Sequence, residues 1–204
     1  MRRTVFIVVS FMGVGVAGYA LTYFFGIPFR FMDPHFFHVR YLLYPHVLGG
    51  AIALLTGPWQ FSTRLRMKQP KLHRILGYAY CAAILLGGVF GLVLSTVSMG
   101  GLATHLGFGL LALAWISTTL IAVHHARHGD FVRHQDWTVR SFGLSLAAVS
   151  LRIFLPLLNL ALPFLTAYAV VSWLCWIPNL ALAEWMIASR RGLQPAESLP
   201  GVAR

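Results

Sequence analysis

His46, His73, His105 and His134 each stand near one end of a long apolar segment, and Arg140 and Arg152 lie within a fifth such segment. Imidazole in an apolar setting is costly and is ordinarily kept for chemistry. Its neutral ring offers a lone pair to a metal, and two rings on facing helices at one depth can hold a haem iron from both faces. A guanidinium among apolar side chains calls for an anion: a propionate, a lipid phosphate or a charged substrate. The alternative for Arg152 and Arg140 is snorkelling, in which the aliphatic stem lies in lipid and the charge reaches the headgroups.

These residues sit in a chain of 204 residues that is 58% hydrophobic and only 10% charged. A soluble domain carries about 25% charged residues, so composition points to an all-α, polytopic membrane bundle. The formal net charge of +11 does not imply nucleic acid, because the basic residues fall in short turns between apolar runs. No linker divides the chain, which reads as a single transmembrane domain over 1–204. Six spans are expected at about 5–25, 41–62, 74–97, 105–125, 137–158 and 164–187. Arg2, Arg3 and the GVAGYA stretch imitate a signal peptide, but apolar sequence runs on to Phe25 and favours a retained anchor. Residues 26–40, with Pro28, Asp33, Pro34, His35 and His38, read as an external loop. Cys81 and Cys175 lie far apart inside apolar runs and read as buried free thiols.

Orientation follows from charge. Twelve of the sixteen Lys and Arg residues fall at the amino end, in the second-to-third and fourth-to-fifth turns and in the tail; only Arg30 and Arg40 fall on the other side. Both termini are therefore expected in the cytoplasm. That orientation sorts the histidines into an outer pair, His46 with His105, and an inner pair, His73 with His134. At 1.5 Å per residue the two levels stand roughly 20 Å apart.

Helical spacing places His46, Gly49, Gly50, Ala53 and Gly57 on one face, and His73, Gly77, Tyr80, Ile84, Gly87 and Gly91 on another. Small residues beside a histidine admit a flat macrocycle, although ordinary helix packing uses them equally. Ser141, Ser145, Ala148 and Arg152 continue the face of His134. The HHARH cluster puts His124 and His128 at i, i+4, a spacing that could clamp a divalent metal. A basic helix end is the commoner use of such a cluster. No GxGxxG or GxxxxGK[ST] motif is present, so redox chemistry would need an external reductant.

The sequence resembles the bacterial membrane proteins grouped as domain of unknown function 2306. The matching pieces are His46 with Gly49, the GPWQF segment at 57–61, Arg64, and PKLHRILGYAY from Pro70 to Tyr80. Gly107, Phe108, Trp115, His134, Trp137, Arg140 and Ser141 also match, over roughly residues 40–155. Thr138 stands where the family commonly has methionine, and His105 lies outside its pattern. The two-level histidine arrangement is similar to that of transmembrane dihaem b-type cytochromes, a likeness of arrangement only. It implies haem b held by His46, His105, His73 and His134 as iron ligands, with Arg140 and Arg152 as further cofactor-binding residues. A quinone or redox protein would then be the partner, besides the bilayer. The competing readings are a small permease or ion-handling protein lined by His46, Arg152 and His73, and a non-catalytic membrane subunit or assembly factor.

Overall fold

A computed structural model of the protein describes residues 3–25 and 38–192. The expected external loop falls almost wholly outside those residues, as do Arg2 and the end of the tail. All regular structure among the described residues is helical. The helices are α1 (Arg3–Leu21), α2 (Arg40–Thr56), α3 (Thr63–Lys68), α4 (Pro70–Thr96), α5 (Leu102–Arg127), α6 (Phe131–Ser145), α7 (Ala147–Asn159), α8 (Phe164–Leu174) and α9 (Ile177–Gly192). Short 3-10 turns follow α1 at Thr22–Phe25 and α2 at Pro58–Phe61.

Four spans are long and apolar enough to cross a membrane: Pro70–Thr96, Leu102–Arg127, Phe131–Asn159 and Phe164–Gly192. They correspond to the last four expected spans, each longer than anticipated. The first two expected spans appear as the shorter helices α1 and α2. α2 has 17 residues instead of the expected 22 or so because Pro58, which lacks an N–H, opens a 3-10 turn there. The basic turn after it is not bare loop. Ser62 accepts a hydrogen bond from the Leu65 amide at 3.2 Å and starts α3, and Pro70 at the first position of α4 starts the next helix.

Glycine sets the closest helix contact. A Cβ on Gly49 of α2 would stand 2.6 Å from the Gly87 amide nitrogen and 2.7 Å from its Cα, so the α2 and α4 backbones touch. Only paired small residues permit that approach. The main core lies between α2, α4, α5 and α6, with Ala53, Tyr80, Ala83, Ile84, Trp115, Phe142 and Leu144. α1 packs on α2 through Ala17, Ala20, Tyr23, Val47 and Ala51.

The last two spans are each broken in mid-course, at Leu146 and at Cys175–Trp176. A break frees backbone carbonyls that lipid cannot satisfy. Asn179 Nδ2 donates to the Cys175 carbonyl and to Ser150 Oγ, both at 3.0 Å, and so covers the second break. At the basic end, Asp130 caps α6 by accepting from the Arg133 amide at 3.0 Å. One turn further on, the fully buried Asp136 receives both Arg190 and Arg191 of α9. Arg140 donates Nε and Nη2 to the two oxygens of Glu184, at 2.5 and 2.8 Å. Three arginines and two carboxylates thus tie the last helix to α6.

Candidate functional site: two cavities joined by a hydroxyl cluster

The long helices border two half-open cavities, one toward each end of the bundle. The cavity at the basic end, of about 730 Å³, lies between α4, α5 and α6 with α3 at its mouth. His73 and His134 both line it, as do Arg66, Arg74 and Arg127. His134 is fixed by donation from Nδ1 to the Ala122 carbonyl, 2.8 Å away, which leaves the lone pair on Nε2. His73 has a buried Nδ1 with no hydrogen-bond partner, and Arg66 and His134 are its electrostatic neighbours. One imidazole is therefore oriented and the other holds an unused buried nitrogen, beside three permanent positive charges. Gly77, on the face of His73, also lines the cavity.

The cavity at the other end is larger, about 1030 Å³, and is walled by α1, α2, α4, α5, α7, α8 and the end of α6. His46 lines it, with Nδ1 donating to the Gly87 carbonyl at 2.7 Å and Nε2 left as the acceptor. Arg152 lines it too. Its Nη1 donates to the Ala148 carbonyl at 2.8 Å, its guanidinium lies 5.3 Å from the centre of the Tyr19 ring, and its buried Nε has no partner.

His105 does not line this cavity: its Nε2 donates to the Ser98 carbonyl at 2.9 Å, across its own loop. The structure therefore brings His73 and His134 to one cavity and does not bring His105 to His46. Arg140 has Glu184 as its anion and the Trp137 ring beneath it, 4.5 Å from its centre, so it is committed within the protein. The rings of His124 and His128 lie 4.2 Å apart, but no group of three or more metal-ligating side chains forms among the described residues.

Between the cavities runs a buried hydroxyl cluster. Tyr80 Oη lies 2.9 Å from Ser141 Oγ and 3.1 Å from Ser145 Oγ, and Ser141 Oγ lies 2.7 Å from Thr119 Oγ1. Trp115 Nε1 donates to Ser145 Oγ at 2.8 Å. Tyr80, Thr119 and Ser141 line the basic-end cavity, while Trp115 and Ser145 line the other. Sequence reasoning saw Tyr80, Ser141 and Ser145 on the histidine faces but did not join them. The i, i+4 spacing of the two serines opposite a tyrosine was the available signal. Asp136 and Glu184 were likewise missed as partners for arginine, because their pairs close over a long stretch of chain.

Four apolar helical spans of crossing length define a multi-pass helical membrane protein. The chain belongs to the DUF2306 family of predicted membrane proteins, whose pattern matches residues 43–187. That match takes in both cavity-lining histidine sets and the whole hydroxyl cluster. No curated protein and no solved structure matches the chain.

Proposed function

We propose that the protein is a b-type haem protein of the bacterial inner membrane that carries electrons across the bilayer, with His73 and His134 as the residues that would hold the haem iron. The observation that carries this reading is the basic-end cavity, where an oriented imidazole, a second imidazole with an unused buried nitrogen, and three arginines come together. The donor set fits: two neutral imidazoles suit haem iron, and Arg66, Arg74 and Arg127 suit its propionates. A bound haem would supply one-electron chemistry. The Ala122 carbonyl fixes the ring of His134, and the three arginines would balance the propionate charge. Arg140 supports this end through Glu184. The reading includes six spans, with α1 and α2 as the first two, and both termini in the cytoplasm beside the basic turns. A quinone or a redox protein would exchange the electrons.

Protein purified from haem-replete cells should show a Soret band that shifts on reduction. His73→Ala and His134→Ala should each weaken it, and His124→Ala should leave it. A colourless protein would remove the proposal. The hydroxyl cluster linking the two cavities favours a second reading, a polar path for a small solute or ion. Visible absorbance separates the two.

A further inference from the structure

Arg152 differs from the other arginines inside the bundle. Arg140, Arg190 and Arg191 each meet a carboxylate, whereas no ion pair among the described residues includes Arg152. Guanidinium stays protonated in any protein setting, so the charge cannot be shed on burial. Its Nε is buried and unbonded, and one Nη is spent on a backbone carbonyl. Among the described residues, no Asp or Glu lines the cavity that it faces. Most of the remaining wall is hydrocarbon, including Leu43, Val47, Leu54, Leu111, Leu151 and Leu155, with Tyr23, Ser95, Ser98, Ser145 and Tyr168 as its polar points. A permanent cation at one point of an apolar chamber of about 1030 Å³ is costly unless an anion meets it there.

We propose that this second cavity binds a hydrocarbon-tailed anion, its carboxylate or phosphate head held by Arg152 and its tail lying along the leucine wall. His46 deepens the match. Because its Nδ1 donates to the Gly87 carbonyl, its Nε2 is an acceptor that takes the O–H left on a phosphate monoester monoanion, while a carboxylate head would be held by Arg152 alone. Tyr23 is a hydrogen-bond neighbour of the Arg152 side chain and His46 an electrostatic one, so both stand beside the charge that the head group would meet. A fatty acid and an anionic phospholipid share this chemistry. The inference does not rest on haem at the other cavity, and a colourless protein leaves its test intact.

The test uses the full chain, delipidated in neutral detergent, and a fluorescent palmitate analogue. Saturable binding is expected, displaced by palmitate or by dioctanoyl phosphatidate but not by hexadecanol, which has the tail without the charge. Displacement by palmitate alone assigns the head to a free carboxylate, and by phosphatidate alone to a lipid phosphate. Arg152→Leu should weaken binding by about tenfold or more, and Arg152→Lys by less, since lysine keeps the charge but cannot reproduce the fork. Leu155→Trp fills the apolar part of the chamber and should weaken binding with Arg152 intact, so it serves if Arg152→Leu fails to fold. Equal displacement by hexadecanol, or full binding by a folded Arg152→Leu or Leu155→Trp variant, would overturn the proposal.

Discussion

His46 and Gly91 compete for one volume: a Cβ placed on Gly91 would stand 2.8 Å from His46 Nδ1 and 3.1 Å from its Cε1. The glycine therefore holds the imidazole where Nδ1 can reach the Gly87 carbonyl, one turn earlier on α4. Gly91→Ala should push the ring off that carbonyl. The expected cost is about 1–3 kcal/mol, read as a lower melting temperature in detergent. His46→Ala in the Gly91→Ala background should recover part of the loss, because the added methyl then has room. Strictly additive losses would count against this coupling.

Asp136 supplies the second prediction. It is buried, while its partners Arg190 and Arg191 are partly exposed. Removing either arginine leaves the other in place and should be mild. Removing both strands an uncompensated carboxylate and should cost about 3–5 kcal/mol, more than the two single losses together. Asp136→Asn in the doubly substituted chain should restore stability, since the amide needs no counter-charge. Chemical unfolding in mixed micelles is the measurement, and a double variant no worse than the sum of its parts would refute the clamp.

Tyr80→Phe takes one hydroxyl from the cluster that joins the cavities. Ser141 and Ser145 then lose a shared partner, at an expected cost of about 1–3 kcal/mol. Ser145→Ala added to Tyr80→Phe should cost less than it does alone. The double-mutant cycle reports the coupling directly; a coupling of zero would mean that the cluster does not act as a unit.

Charge asymmetry yields a topology prediction. Arg66, Arg74 and Arg127 line one cavity, and Arg190 and Arg191 join α6 at the same end. Reporter fusions after Arg66 and after Arg191 should both report cytoplasm, and a fusion at Gly100 the opposite side. An external signal at Arg66 would invert the orientation.

How much of this was legible beforehand depends on the reach of each interaction. Apolar length and composition located the last four spans, because bilayer thickness acts on each segment alone. Helical period placed Tyr80, Gly87 and Gly91 on one face of α4, since that is a local property. The break at Cys175–Trp176 was not legible, because Asn179 and Ser150, whose side chains seal it, lie on different spans. The depth of His105 also misled: depth gives height along the bundle and says nothing of azimuth, and its ring turns back to Ser98. Arg140 and Glu184 illustrate the same limit. They are 44 residues apart, and no local rule connects them.

The Asp136 clamp has a consequence for how the bundle is made. Arg190 follows Asp136 by 54 residues, so the carboxylate is synthesised long before its first partner exists. Until then the acid has Arg140, one turn along the same helix, as its positive neighbour, and burying the acid at full depth is costly. Closure thus waits for the last turn of α9. A premature stop within that helix would leave its lesion far upstream, as a bare acid on α6, and the truncated chain would fail at a place where its own sequence is intact.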